Sequence, residues 1–206
     1  MRRAKPYAAA ARRLARVDDD WARLVRLVGP CTHEPKPARE PYEALVRAVS
    51  YQQLHVKAGD AIVARLLALF PGSPFPSPEA LLATAPDVLR SCGFSWRKVE
   101  TLRGIAAAAL AGVVPSRAAA DALPDEALVE RLTTLRGIGR WSVEMLLIYT
   151  LARTDVLPAD DLGVREGYRR LKGLAKTPSP GQMAAIGAAW SPHRTIASWY
   201  LWRVPR

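Results

Sequence analysis

One segment of this chain has the residue types and spacing of an anion-binding site. In residues 132–143 an amphipathic helical pattern runs into a turn with two glycines, Gly137 and Gly139, and a second helical pattern starts at once. The amides of Gly139, Arg140 and Trp141 are then expected to open a helix. Free N–H groups and the positive end of the helix dipole would favour a phosphate there.

The two glycines predict the shape of this turn. Both permit a positive φ and the close approach of another backbone, and Ile138 between them is expected to pack back between the helices. An ordinary corner between two helices, with glycines that allow close packing, explains the same short pattern.

A second segment carries two adjacent carboxylates. Residues 155–164 contain Pro158, then Asp160 and Asp161, and a helical pattern begins at Leu162. Asp161 is expected to be the N-cap of that helix. Capping of the same helix N-terminus is also the ordinary role for Asp160.

The elements that position these segments are predicted to be helices throughout. Apolar residues between Tyr42 and Phe70 recur at three- to four-residue steps, and Ser77 with Pro78 is a typical helix start. Further helices are predicted over 102–111, from residue 123, and over 140–152, 162–174, 181–189 and 190–202. No alternating strand pattern or internal repeat occurs, so the fold class is all-α, with roughly eight to ten helices.

The composition limits the classes of molecule that the protein is expected to bind. The 206 residues fit one domain or two small lobes, and 30 Lys and Arg against 19 Asp and Glu give a net charge of +11. This surplus favours nucleic acid first and an anionic membrane second, although a basic surface can also serve solubility. Two cysteines exclude a disulfide framework, a four-cysteine zinc site and a cysteine-ligated iron–sulfur cluster. No secretory signal or stretch of about 20 apolar residues occurs, which predicts a cytoplasmic, nucleoid-associated protein and no membrane partner.

Five ordered segments resemble the helix–hairpin–helix DNA glycosylase superfamily, and within it the 3-methyladenine DNA glycosylase II type. They are the hairpin at 132–143, the aspartate loop at 155–164, residues 43–58 with Gln52-Gln53-Leu54, residues 92–103 with Gly93-x-Ser95-x-x-Lys98, and residues 190–203 with Trp190-x-Pro192-x-Arg194-Thr195. The resemblance runs from about residue 28 to 203 and implies the compact, two-lobed helical form. One such unit is expected over 1–206, with an extension of about 1–27 packed on one lobe and the active site in the cleft between the lobes.

The resemblance implies a role for each matching residue. Asp160 is the expected catalytic residue, with the adjacent Asp161 as the less favoured alternative. Trp141, Trp202, Met145 and Gln52 are expected to bind the substrate base. Trp190 and Trp199 are expected in the core or just behind the pocket. The residues expected to contact DNA are Gly137, Gly139, Arg140, Arg136, Gln53, Leu54, His55 and Lys98. Gln53, Leu54 and His55 occupy the place of the family's wedge, which fills the gap left by a flipped base, but a polar surface turn explains them equally well.

The implied reaction is hydrolysis of the N-glycosidic bond of alkylated bases such as 3-methyladenine and 7-methylguanine in double-stranded DNA. Alkylation already makes the base a good leaving group, so one carboxylate can stabilise the oxocarbenium-like sugar and orient water. The second glycine is followed two residues later by Trp141, where lyase-active relatives have a lysine, which predicts a monofunctional enzyme. A monomer is expected, with no cofactor and no metal ligand set. Relatives imply only a structural monovalent cation at the hairpin, near Thr133 and Leu135.

Two alternatives stay open at this stage. One is a helix–hairpin–helix module that binds DNA without catalysis. The other is the same fold acting on other damaged bases. A carboxylate at Asp160 argues against a pure binder, because it would repel phosphate.

Overall fold

The structure is a computed structural model that describes residues 7–205, and it is helical. In that range there are thirteen α-helices and one 3₁₀ turn, and no strand. The helices are α1 Ala8–Leu14, α2 Asp19–Val28, α3 Pro41–Tyr51, α4 Val56–Ala68, α5 Pro78–Ala83, α6 Pro86–Ser91, α7 Trp96–Leu110, α8 Arg117–Ala122, α9 Asp125–Thr133, α10 Arg140–Tyr149, α11 Leu162–Leu171, α12 Pro180–Gly187 and α13 Arg194–Leu201. The all-α prediction is confirmed, whereas eight to ten helices was an underestimate.

Several predicted boundaries are corrected. The helix predicted over 102–111 is α7 and begins at Trp96, with the Ser95 hydroxyl accepting the Lys98 N–H as its N-cap. The segment 190–202 is not one helix, because Pro192 cannot continue a helical hydrogen-bond ladder and α13 begins only at Arg194. The helices predicted over 162–174 and 181–189 end earlier, at Leu171 and Gly187.

The structure has the two helix N-caps that the sequence predicts. The Ser77 hydroxyl accepts the Ala80 N–H at the start of α5, and the Asp161 carboxylate accepts the Val164 N–H at the start of α11. Both caps satisfy an N–H that has no partner within the helix. The interpretation of Asp161 as an N-cap is therefore confirmed.

The chain divides into two compact units. The central unit is Lys36–Leu151, and the terminal unit combines the residues up to Pro35 with those from Ala152. In the central unit α3 packs against α4, α7 and α10, and α9 packs against α10. Its core is built from fully buried aliphatic side chains, including Leu45, Leu66, Leu102, Leu128 and Leu132.

The terminal unit packs α13 against α1, α2 and α11. Its core holds Trp21 and Trp190, whose rings meet edge to face at a centroid distance of 5.1 Å. Trp190 and Trp199 are both buried, as the sequence predicted. The first six residues of the expected extension lie outside the described residues. Within residues 7–205 no helix is long and apolar enough to cross a membrane.

Candidate active site and nucleic-acid interface

The hairpin joins α9 to α10 through a tight turn. Gly137 has a φ of +84°, and a Cβ added there would overlap the Thr101 side chain of α7. Ile138 is buried, at 5% exposure, and anchors the turn. Gly137 therefore has both the positive φ and the close approach that a glycine permits.

Gly139 differs from Gly137, because it does not adopt the positive φ that a glycine permits. It is the N-cap of α10 with φ −101°, and a Cβ added there would meet no atom within 4 Å. Gly139 and Arg140 are both exposed at this helix N-terminus. The turn needs a glycine only at Gly137, so the space beside Gly139 is available to a ligand.

The hairpin arginines pair with carboxylates. Arg140 donates two hydrogen bonds to Glu126, with N–O distances of 3.0 and 2.7 Å. The hydrogen bond from Arg140 holds the pKa of Glu126 below its ordinary value. Arg136 lies 3.3 Å from a Glu100 carboxylate oxygen in a pair that is exposed on both sides. Exposed pairs of this kind are weak, and phosphates can compete for the guanidinium groups.

Behind the hairpin, Gln52 and Lys98 hold the end of α3. The Gln52 Nε2 donates to the Gly137 carbonyl at 3.1 Å and to the Ser142 hydroxyl at 3.0 Å. The Lys98 ammonium donates to the carbonyls of Gln52 at 2.9 Å and Ser50 at 3.4 Å, and partial burial lowers its pKa. The structure thus gives both residues contacts that support the hairpin. Their roles toward base and DNA stay predictions.

The turn between α3 and α4 presents Gln53, Leu54 and His55 to solvent. Gln53 has a φ of +57°, a conformation uncommon for a residue with a side chain. Leu54 is 42% exposed. His55 is the N-cap of α4, and its Nδ1 accepts the Lys57 N–H at 3.3 Å. The wedge role of these three residues stays a prediction.

A cavity of about 350 Å³ opens in the central unit. Trp141, Met145 and Tyr149 line it from successive turns of one face of α10, and Tyr51 lines it from the end of α3. The other lining residues are Arg39, Ala44, Arg47, Ala48, Val56 and Thr150. This volume and aromatic wall are typical of small-molecule sites.

Tyr51 and Tyr149 are cavity residues that the sequence did not indicate. Each ends a helix without a motif, so only the packing of α3 on α10 brings them together. The Tyr51 hydroxyl donates to Asp60 at 2.6 Å. Burial, and then this carboxylate, raise the pKa of Tyr51, so the ring is held neutral and fixed in the cavity wall.

The aspartate loop lies in the terminal unit. Asp160 is exposed, and within residues 7–205 no hydrogen bond or ion pair to its carboxylate is present. Asp161 Oδ1, in contrast, accepts the Val164 N–H at 2.8 Å and the Trp202 indole N–H at 2.9 Å. The two neighbouring carboxylates therefore have different surroundings. The Trp202 N–H points to Asp161, and its expected contact with a base stays a prediction.

Thr133 and Leu135, near the expected cation, both make hydrogen bonds within the protein. The Leu135 carbonyl accepts the Ile138 N–H, and the Thr133 hydroxyl donates to the Val129 carbonyl. Among residues 7–205 no cluster of three or more His, Cys, Asp or Glu side chains could hold a metal ion.

Comparison with known proteins defines the class. The sequence model of the HhH-GPD superfamily of base excision DNA repair proteins matches residues 46–193, and the chain belongs to this family. The resemblance drawn from the hairpin and the aspartate loop is thereby confirmed.

Particular relatives are close over almost the whole chain. The chain is 45% identical over 196 residues to DNA-3-methyladenine glycosylase 1 of Schizosaccharomyces pombe, covering 94% of this chain and 85% of the relative. The fold is similar to a structure of S. pombe 3-methyladenine DNA glycosylase, Mag1, in complex with abasic DNA, with a TM-score of 0.90 over 95% of this chain and 96% of that one. It is also similar to a DNA-3-methyladenine glycosidase of Bacillus halodurans, at 29% identity and a TM-score of 0.80 over 98% and 92% of the two chains.

Proposed function

We propose that this protein is a monofunctional DNA glycosylase that excises alkylated bases, such as 3-methyladenine and 7-methylguanine, from double-stranded DNA. It hydrolyses the N-glycosidic bond as the first step of base excision repair. The observation that carries this proposal is the exposed Asp160 carboxylate, which no described side chain neutralises. The names of its relatives support the choice of alkylated bases.

Asp160 is the proposed catalytic residue. As the C1′–N bond breaks, its electron pair leaves with the base, and positive charge develops on the sugar. The Asp160 carboxylate stabilises this charge and orients the water whose oxygen bonds to C1′. The water gives up one proton to the solvent as the C1′–O bond forms. The products are a free base and an intact abasic site, and the reaction requires no cofactor.

The cavity lined by Trp141, Met145, Tyr51 and Tyr149 is the proposed base pocket. Alkylated purines in DNA carry positive charge, and aromatic faces attract cations by about 1–2 kcal/mol. The cavity also adjoins Arg47 and Arg39, whose guanidinium groups lie 2.7 and 3.5 Å from Glu43 Oε1. That shared carboxylate reduces the repulsion a cationic base would meet.

The hairpin is the proposed phosphate-binding site, with the N-terminus of α10 and the arginines beside it as anion ligands. Phosphate contacts of this type position the enzyme and read no sequence. We infer a monomer acting on chromosomal DNA in the cytoplasm, associated with the nucleoid. A monovalent cation at the hairpin carbonyls stays part of the proposal.

Release of bases from methylated duplex DNA tests this function. The products are separated by chromatography, with Asp160→Asn as the matched variant. We expect the wild-type protein to release methylated purines and Asp160→Asn to bind the DNA but release at least about 10²-fold more slowly. Binding without release by the wild-type protein would favour the non-catalytic alternative, and release of other damaged bases alone would favour the second alternative.

A further inference from the structure

The loop that carries Asp160 is tied to α13 on its N-terminal side. Asp155 accepts hydrogen bonds from the Arg194 Nε at 2.8 Å and Nη2 at 3.0 Å, one on each carboxylate oxygen. The Ser191 hydroxyl donates to the same carboxylate at 2.8 Å, and the Arg194 backbone N–H approaches it at 3.3 Å. A two-pronged guanidinium–carboxylate pair fixes orientation as well as distance.

The buried Thr195 hydroxyl strengthens this attachment. It donates to the Arg153 carbonyl at 2.8 Å and accepts the Val156 N–H at 3.1 Å. The Thr195 backbone N–H donates to the Thr154 carbonyl at 3.1 Å. The start of α13 thus binds the loop backbone on both sides of Asp155.

The other end of the loop is held at the end of α13. Asp161 Oδ1 accepts the indole N–H of Trp202, which follows the last residue of α13. Between the two attachments, Val156 and Pro158 are buried and Asp160 is exposed. The chain can therefore present the Asp160 carboxylate while its backbone stays fixed.

We propose that α13 holds the catalytic loop, residues 155–161, in place. In this proposal Asp155 is a positioning residue for base excision, and it acts through the clamp, its two-pronged ion pair with Arg194. This inference rests on the proposed function and deepens it. A carboxylate that stabilises a developing charge works only within a narrow range of distance, and a displacement of about 1 Å can cost about 10²-fold in rate. Asp155 and Arg194 act on the reaction only through Asp160.

The clamp is charged at neutral pH. Burial alone raises the pKa of Asp155, but the hydrogen bonds from Arg194 and Ser191 outweigh it and hold the pKa below the ordinary value. The bidentate contact is therefore intact at neutral pH.

The first test is Asp155→Asn, which keeps the shape of the side chain and removes its charge. Excision is measured in single turnovers on methylated duplex DNA with enzyme in excess. Affinity is measured separately on a duplex with an abasic site. We expect the excision rate to fall about 10- to 100-fold while affinity changes less than about twofold.

A double variant separates positioning from other roles. In an Asp160→Asn background the reacting carboxylate is already removed, so adding Asp155→Asn should cause little further loss of excision above spontaneous depurination. Residues that act through one group are not additive. Losses that multiply in the double variant would overturn the inference.

Asp20→Asn is the matched control in the same unit. Asp20 accepts a hydrogen bond from Lys172 at 2.9 Å. Lys172 follows the C-terminal end of α11, whereas Asp161 precedes its N-terminal end. This control should excise at the wild-type rate. Ser191→Ala, which removes one bond to Asp155, is the milder variant and decides the matter if Asp155→Asn fails to fold, with an expected loss of about threefold.

The outcomes distinguish the two proposals. If wild-type protein releases no methylated base, the proposed function fails and the clamp fails with it. If wild-type protein and Asp155→Asn release bases at the same single-turnover rate, only the clamp is overturned.

Discussion

Asp160 and Asp161 show how one position along the chain changes what a carboxylate does. Asp161 is occupied by the Val164 N–H and the Trp202 indole, whereas Asp160 is exposed. Asp161→Asn keeps an oxygen that can accept both hydrogen bonds. We therefore expect Asp160→Asn to lose at least about 10²-fold in single-turnover excision and Asp161→Asn to lose much less. An inactive Asp161→Asn beside an active Asp160→Asn would move the assignment by one residue.

The absence of strand cleavage is a second prediction at the residue scale. A glycosylase with lyase activity attacks C1′ with an amine and forms a Schiff base. Trp141 lines the cavity, and its indole nitrogen cannot act as that amine because its lone pair belongs to the ring. The Lys98 ammonium donates hydrogen bonds to the Ser50 and Gln52 carbonyls at the end of α3, so it is engaged within the protein.

Borohydride trapping on methylated duplex DNA measures this directly. We expect no covalent adduct, and an abasic strand that breaks only after added alkali. A lyase-active glycosylase run in parallel shows that the trap works. An adduct in good yield would show that an amine of this chain acts on the sugar and that the enzyme is not monofunctional.

At the scale of the element, the two hairpin glycines predict different defects. Gly137→Ala places a Cβ against Thr101 at a positive φ, so we expect at least about 1–2 kcal/mol of lost stability in urea unfolding. Gly139→Ala meets no atom and needs no positive φ. It should unfold like the wild type but bind DNA more weakly, because its methyl group lies where a phosphate approaches the helix N-terminus. Wild-type DNA affinity in a folded Gly139→Ala protein would exclude that approach.

How far the sequence predicts the elements depends on their length and on their caps. The sequence predicts the N-caps Ser77 and Asp161 because a capping side chain binds its own helix, so the local pattern is sufficient. The short helices α6 and α8 were missed, because six residues are fewer than two turns and show no period. The first turn of α7 was missed because its exposed residues, such as Arg97, do not extend the apolar pattern.

The site residues also divide into those that a local sequence pattern predicts and those that only tertiary packing brings together. Trp141 and Met145 are four residues apart, so a helix must place them on one face, and they do share a cavity. Tyr51 reaches that cavity only because α3 packs on α10, and no local pattern encodes that contact. Arg194 and Asp155 lie 39 residues apart in two of the segments that resemble the family, but their spacing does not indicate that they contact each other.

At the scale of the whole molecule, the net charge of +11 favours DNA, but acidic partners hold part of the basic surface. Glu126 is exposed and competes with phosphate for Arg140. Glu126→Gln should therefore raise affinity for undamaged duplex DNA about two- to fivefold at low salt, the range of an exposed ion pair. Glu130→Gln changes the charge equally one turn along α9, without an ion pair to Arg140 in the described chain. Equal gains in the two variants would mean that only net charge matters.

The pH dependence of stability is the second prediction for the whole molecule. In the terminal unit the pKa of Asp20, Glu166 and Asp155 is lowered. The causes are the hydrogen bond from Lys172 for Asp20, those from Thr177 and Arg169 for Glu166, and the Arg194 clamp, against the effect of burial, for Asp155. A carboxyl group with a lower pKa in the folded protein binds fewer protons there than in the unfolded chain. Its contribution to stability is therefore full above the unfolded value near 4 and is lost as the pH falls through the folded value.

Urea unfolding midpoints between pH 7 and pH 3 test this. We expect wild-type stability to change little from pH 7 to pH 5 and to fall below about pH 4. Repulsion among the basic residues also grows as carboxylates protonate, but it affects wild type and Asp155→Asn alike, so the difference between them isolates one group. Asp155→Asn should be less stable than wild type at pH 7, and the difference between the two curves should shrink as the pH falls below about 4 and the wild-type carboxyl group takes up a proton. Parallel curves over the whole range would show that the ionised Asp155 carboxylate does not stabilise the fold.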